Sequence, residues 1–305
     1  MSDASIRAPD IPAPARNPHP PKNPFPAGAC DCHAHIFGPQ ERYPLLPKTH
    51  FVPHVNPLSD YIRLQRVFGC TRGVLVQPSI YSTDNRLIVE ALQSKQFDLR
   101  AVAVVAADIS DRELEDLHTV GFRGIRINTA SATKGLKLSD APRLAERIKP
   151  MGWHLQFFAD LPGMPEVETE LAKLDIDIVI DHFAKVQSAD GLDAPPFKAL
   201  LRLLARDNCW AKLTGQYFVS AQFPHYPDIA PFARAMIRIA PDRIVWGSDW
   251  PHTPRHDLRK PGEAEELPFQ DIDTKGLLAL VPRWLVDDAL VKRVLVDNPA
   301  GLYGF

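Results

Sequence analysis

Four side chains near the ends of short apolar runs are suited to activating water or gripping a small cation. One run ends Asp31-Cys-His33-Ala-His35, a second Asp181-His182, and a third Trp246-Gly-Ser-Asp249-Trp-Pro-His252. Successive side chains of a strand point to opposite faces, so Asp31, His33 and His35 are expected on one side and Cys32 and Ala34 on the other. Imidazoles and a carboxylate that meet at one point can take a proton from water, polarise a carbonyl or ligate a divalent metal. Singly, each feature is ordinary: His-x-His is often incidental, Asp-His neighbours are common, and Asp249 would serve as a helix cap. Their weight depends on a scaffold that brings them together.

The chain supplies such a scaffold. From Ala29 onward, apolar runs of four to eight residues alternate with amphipathic stretches. The runs are Cys30–His35, Gly73–Gln77, Leu99–Val105, Gly124–Asn128, His154–Phe158, Ile176–Asp181, Cys209–Leu213 and Arg243–Gly247. Their length and their β-branched and aromatic residues predict buried strands. Helices are predicted over Pro57–Phe68, Asn85–Gln96, Asp111–Val120, Ser139–Lys149, Pro165–Leu174, Pro196–Arg206 and Pro227–Ala240, with two more near Lys275–Leu280 and Asp287–Val296. Ser59, Asp111 and Ser139 are suitable N-caps. Alternating strands and helices imply parallel pairing, and eight units predict a (β/α)8 TIM barrel. An open doubly wound sheet is the alternative, weakened by the lack of a glycine-rich turn after the first strand.

In a barrel, the C-terminal strand ends form the active mouth. His33, His35, His182 and Asp249 then converge from strands one, six and eight. Asp31 lies earlier in its strand and is expected to orient a histidine from below. Asp181 has the opposite parity to His182 and is expected to face the helices. Arg126 and Asn128 share a parity that turns both toward the mouth, where an arginine can hold a carboxylate through two parallel hydrogen bonds. Gln77, Lys212, Tyr217 and His252 are further mouth candidates, followed by His225 and Tyr226. His19, His50, His54, His118 and His256 are expected to be structural or solvated.

The bulk composition narrows the classes. The net charge of −2 leaves no basic excess for a nucleic acid partner, and no apolar run is long enough to span a bilayer. Cys30, Cys32, Cys70 and Cys209 do not make a disulfide framework, and reduced thiols in a cytoplasmic protein are the simplest reading. Residues 1–27 hold eight prolines and read as an extended arm, either disordered or draped over the domain or a partner subunit. The barrel is expected over residues 28–305, with a homo-oligomer an open option.

The motifs Asp31-Cys-His33-Ala-His35-Ile-Phe37-Gly38, Ile180-Asp-His182-Phe, Trp246-Gly-Ser-Asp249-Trp-Pro-His252 and Asn298-Pro-Ala-Gly-Leu-Tyr303-Gly resemble the amidohydrolase superfamily. The similarity is to the branch containing 2-pyrone-4,6-dicarboxylate lactonase and the sugar-lactone and muconolactone enzymes. The resemblance implies a hydrolase that opens a small carboxylate-bearing lactone. Asp249 would activate water, and His33, His35 and His182 would polarise the carbonyl. It also implies either no metal or a single Zn2+ or Mn2+ held by His33, His35, Asp249 and His182. A two-metal site is not expected, because runs four and five end Arg126-Ile-Asn128 and Gln156-Phe-Phe158, with no bridging lysine. Ala132 and Phe218 stand where the pyrone dicarboxylate enzyme carries arginines for its second carboxylate, which puts that substrate in doubt. Metal-dependent non-oxidative decarboxylation or lactone isomerisation on the same scaffold is the alternative. A non-catalytic binding barrel is the reading outside enzymes, and the presence of all four groups speaks against it.

Overall fold

The computed structural model describes residues 25–47, 49, 51–129, 135–254, 267–285 and 287–305. Eight strands run β1 Cys30–Ala34, β2 Arg72–Val76, β3 Asp98–Ala103, β4 Phe122–Asn128, β5 His154–Phe158, β6 Ile178–Ile180, β7 Cys209–Leu213 and β8 Ile244–Trp246. All pair in parallel in sequence order. The end of β8 returns to β1: the amide of His35 donates to Trp250 O (2.8 Å) and that of Asp249 to His33 O (2.8 Å). Those bonds close the barrel, and the open sheet is excluded.

Residue parity sorts the core into two layers. Cys30, Cys32, Val74, Val76, Val102, Val179 and Val245 fill the barrel with Leu302 and Tyr303 of the C-terminal segment. Their neighbours Leu75, Ile125, Phe157, Ile180 and Trp246 pack outward against the helices. Valines suit the narrow inner space, and larger side chains the sheet–helix layer.

The helices are α1 Leu58–Phe68, α2 Arg86–Gln93, α3 Asp111–Val120, α4 Ala141–Ile148, α5 Glu166–Ala172, α6 Pro195–Leu204, α7 Ala230–Ile239, α8 Thr274–Trp284, α9 Asp288–Lys292 and α10 Asn298–Tyr303. The expected caps shift by a residue or two. Pro57 precedes α1 and Asp140 precedes α4, while Ser110 caps α3. Ser110 Oγ accepts from the Glu113 amide (3.2 Å), and Glu113 Oε2 accepts from the Ser110 amide (2.8 Å). That reciprocal box satisfies two otherwise free amides, so Asp111 is the first helical residue and not the cap.

Among the described residues, no helix is long and apolar enough to cross a membrane. The described cysteines are all unpaired and buried. Of the arm expected over 1–27, residues 1–24 lie outside the described residues, as do His19, His50, Ala132 and His256.

Candidate active site

The geometry at the mouth comes from three departures from regular strand. The first lies in β1, whose register against β2 shifts between Asp31 and Ala34. Before the shift, Cys30 and Cys32 point inward. After it, His33 and His35 do. Asp31 is left facing α1, where its carboxylate accepts from Gln65 Nε2 (2.8 Å), Ser248 Oγ (2.6 Å) and the Ser248 amide (2.8 Å). The expectation that Asp31 shares the histidines' side and orients an imidazole is therefore corrected. From His33 it accepts the backbone amide (3.2 Å) and not the ring, and through Ser248 it ties β1 to β8. Burial pushes its carboxyl up to about 6, against the pull of the Ser248 bonds.

The second departure follows β6. His182, Phe183, Ala184 and Lys185 all have positive φ, between 49° and 61°. This left-handed turn aims His182 into the mouth independently of strand parity. The imidazole fits because residue 215 is glycine (φ 62°): a Cβ there would lie 2.4 Å from His182 Nδ1. Asp181, the last residue before the turn, points into the barrel rather than toward the helices. It is fully buried, 3.3 Å from His33 Nδ1 and 3.4 Å from Arg126 Nε. Parity counted from Val179 predicts this; parity counted back from His182 does not.

The third follows β8, where Asp249 sits at φ 58°. Its Oδ1 lies 3.5 Å from His33 Nε2 and 3.6 Å from His35 Nε2. Tyr217 donates its hydroxyl to Oδ2 (2.5 Å). Each β1 histidine has its far nitrogen engaged: His35 Nδ1 lies 2.7 Å from Val76 O, and His33 Nδ1 faces Asp181. The Val76 carbonyl assigns the Nδ1–H tautomer to His35. At His33 Nδ1 the Asp181 carboxylate (3.3 Å) competes with Lys212 Nζ (3.5 Å), and the nearer carboxylate favours Nδ1–H, which turns both Nε2 atoms toward Asp249. Burial of Asp249 favours the neutral acid, but the His182, His33 and His35 rings and the Tyr217 hydroxyl outweigh it and hold the carboxyl near 2. Burial outweighs Asp249 at His35, whose pKa falls to about 4. The carboxylate is thus charged and the His35 ring neutral at neutral pH.

Gly247 leaves room for this arrangement. A Cβ at residue 247 would stand 2.6 Å from His33 Cβ and 2.8 Å from its backbone nitrogen. Backbone cannot yield as a flexible side chain can, so Gly247→Ala is expected to destabilise the fold by about 1–3 kcal/mol. A lowered midpoint in chemical denaturation, with His33 displaced, checks it.

The mouth is lined by His35, His182 and Asp249 at its base, by Arg126, Asn128, Ser79 and Thr253, and by Phe37, Phe51, Phe158 and Phe218. The Arg126 guanidinium stacks over the Phe158 ring at 5.7 Å. Arg126 and Asn128 lie at the mouth as their parity predicts, because β4 stays regular through Asn128.

Other expected contacts are corrected. Lys212 is fully buried beneath the mouth, level with Val245 in the apolar interior, and it donates to Cys32 O (2.9 Å) and Gln156 Oε1 (2.7 Å). Gln77 donates to Ser82 O and Asp84 O, so it braces the β2 loop and does not line the mouth. His252 pairs with Thr274 Oγ1 (2.7 Å) and Tyr217 (3.3 Å), behind Asp249. His225 is exposed and Tyr226 is buried in the core. Phe158 was missed, although it shares the parity of His154 and Gln156. His118 is structural, accepting from Trp153 Nε1 (2.8 Å).

A metal fits these donors. His33, His182 and Asp249 offer ligand atoms within 4.8 Å of one another. His33 Nε2 is buried and has no hydrogen-bond partner among the described residues. Of the four expected ligands, this trio includes His182 and leaves out His35. Imidazole and carboxylate donors suit zinc or manganese.

The chain is 36% identical over 285 residues to a 4-sulfomuconolactone hydrolase of Rhizobium radiobacter, covering 92% of this chain and 91% of that protein. It is 32% identical over 297 residues to a 2-pyrone-4,6-dicarboxylate hydrolase of Comamonas testosteroni, covering 94% and 93%. Among solved structures, a probable 2-pyrone-4,6-dicarboxylic acid hydrolase from Acinetobacter baumannii with citric acid bound superposes with a TM-score of 0.76. It is 25% identical, with coverage of 91% of this chain and 100% of that one. The family model described as amidohydrolase matches residues 30–305. With the barrel and the convergent histidines and aspartate, that match places the chain in the amidohydrolase family.

Proposed function

We propose that this protein hydrolyses a small lactone bearing a carboxylate, with residues 28–305 as the catalytic unit and 1–27 as an appended arm. The observation that carries the reading is the position of Asp249, 3.5 Å and 3.6 Å from the Nε2 atoms of His33 and His35, in a mouth that also presents the Arg126 guanidinium. The lactone hydrolases among its relatives support it.

Arg126 binds the substrate carboxylate, and Asn128 supplies a neighbouring polar contact. Phe158 and Phe218 flank the ring, which favours a flat unsaturated lactone over a polyhydroxylated one. Asp249 accepts a proton from water through Oδ1 while Tyr217 holds Oδ2. The water oxygen bonds to the carbonyl carbon, the ring C–O bond breaks, and the departing oxygen recovers the proton from Asp249. The bare Nε2 atoms of His33 and His35 have no proton to offer the developing oxyanion and are suited instead to holding a cation beside it.

The Tyr217 hydroxyl bonded to Oδ2 draws down the basicity of Asp249, so the water or the ester must itself be activated. A divalent metal, when bound by His33, His182 and Asp249 with His35 adjacent, supplies Lewis acidity for that purpose.

A panel of muconolactones, pyrone carboxylates and sugar-acid lactones tests the reading, with ring opening followed by absorbance and acid release. Opening of an unsaturated carboxylate lactone, without CO2, is expected. CO2 evolution, or a lactone product of equal mass, would replace hydrolysis by decarboxylation or isomerisation. Protein purified without chelator is expected to hold no more than one equivalent of zinc or manganese. Two tightly held equivalents would refute the ligand set.

A further inference from the structure

Beneath the mouth lies a buried charged pair, Asp181 and Lys212, neither of which lines the cavity. Asp181 Oδ1 faces His33 Nδ1 at 3.3 Å and Lys212 Nζ at 3.6 Å, and Oδ2 faces Arg126 Nε at 3.4 Å and accepts from Gln156 Nε2 at 2.8 Å. Asp181 and Lys212 are both fully buried. One carboxylate therefore contacts both poles of the site: the histidine beside Asp249 and the arginine at the mouth.

We propose that Asp181 is a positioning residue that couples carboxylate capture at Arg126 to the orientation of His33 at the reaction centre. The proposal rests on the lactonase reading for its chemical consequence, and on geometry alone for the coupling.

The cluster's composition supports a positioning role. A buried carboxylate is costly unless it is paired and hydrogen-bonded. Here the Lys212 ammonium supplies the compensating charge from inside the barrel. It also donates to Cys32 O and to Gln156 Oε1, and the Gln156 amide links it to Asp181 Oδ2. Lys212 Nζ at 3.6 Å and Arg126 Nε at 3.4 Å balance the Asp181 carboxylate charge. Asp181 Oδ1 lies nearer to His33 Nδ1 (3.3 Å) than Lys212 Nζ does (3.5 Å), and a carboxylate there favours Nδ1–H with a bare Nε2 toward the mouth. The same carboxylate meets Arg126 at Nε, which leaves the two terminal NH2 groups to meet a substrate carboxylate. Lys212 reaches His33 Nδ1 as well (3.5 Å); the two contacts to His33 and Arg126 are what give Asp181 a role in the chemistry.

The test is a double-mutant cycle between Asp181→Asn and Arg126→Met, read in three ways. Binding of 2-furoate, a flat ring carboxylate, is measured by calorimetry. Turnover is measured on the lactone opened by wild type. The His33 tautomer is read from its 15N shifts. Asp181→Asn is expected to weaken 2-furoate binding about tenfold, lower kcat about 10–100-fold and mix the His33 tautomers. In the Arg126→Met background it should leave 2-furoate affinity unchanged within twofold while still lowering kcat.

Asp181→Asn leaves Lys212 without its counter-charge. The paired variant Asp181→Asn/Lys212→Gln restores neutrality and is expected to melt near wild type while keeping the kcat and tautomer effects. Equal effects of Asp181→Asn on affinity in both backgrounds would overturn the coupling. So would an unchanged His33 tautomer, an absence of wild-type binding to 2-furoate, or full recovery of kcat in the paired variant. A wild-type protein that binds 2-furoate and opens no lactone defeats the functional reading instead, and the affinity cycle and the tautomer still decide the coupling.

Discussion

Asp249→Asn is expected to lower turnover by about 10²–10⁴-fold, the usual loss on removing a general base. The substitution keeps the shape and removes only the charge and basic lone pair. The backbone bond from the Asp249 amide to His33 O (2.8 Å) is untouched, and an amide oxygen can still accept from Tyr217. The fold should therefore survive, with a melting profile close to wild type. KM should change less than kcat, because the carboxylate anchor at Arg126 is intact. The neighbouring rings give a second readout. His35 Nε2 and His33 Nε2 lose the anion beside them, so any bound zinc or manganese should be held more weakly. Turnover within threefold of wild type on the substrate that the lactone panel identifies would remove Asp249 from the role of base.

Arg126→Met is expected to lower kcat/KM on a carboxylate-bearing lactone by about 10²–10³-fold, mostly through KM. Truncating one partner of a buried, hydrogen-bonded charge pair costs about 2–5 kcal/mol, and each 1.4 kcal/mol is about tenfold. Arg126 is only 7% exposed and lies over the Phe158 ring, so its contact with a bound carboxylate is poorly screened by water. Methionine preserves the stacking volume and deletes the guanidinium. The decisive comparison is a neutral lactone of the same ring, which should lose far less than tenfold. Equal losses on charged and neutral rings would mean that Arg126 supports the fold of the mouth and does not anchor an anion. Arg126→Lys should recover only part of the loss, since an ammonium cannot offer the planar pair of donors.

The two residues differ in how far their positions were legible from the chain. Arg126 and Asn128 could be placed from parity alone, because β4 is regular from Gly124 to Asn128, where it pairs with β5 residue for residue. The eight strands were legible for a related reason. Each is a short run whose alternate residues must fill either the barrel or the sheet–helix layer, and that double burial leaves a continuous apolar signature. Strand ends were read one to two residues long wherever the last residues turn into the mouth, as at Asp181 and Gly247.

The convergence of His33, His35, His182 and Asp249 was foreseen on the strength of strand ends, but the means by which they meet was not. A one-residue register shift in β1 moves Asp31 to the helix side and keeps His33 inward, and no local propensity announces such a shift. His182 and Asp249 reach the mouth on left-handed backbone that neither residue prefers. Gly215 leaves the space that the His182 ring then occupies. Lys212 and Asp181 mark a second limit. Parity says that a side chain faces the barrel, but depth along the axis depends on strand stagger, which exists only once all eight strands have closed. The sequence by itself determined the barrel, its eight strands and the residue types at the mouth, because those follow from periodic burial along the chain. Only the tertiary structure decided which inward groups meet the substrate and which, like Asp181 and Lys212, are held beneath it, because that follows from contacts between strands far apart in sequence.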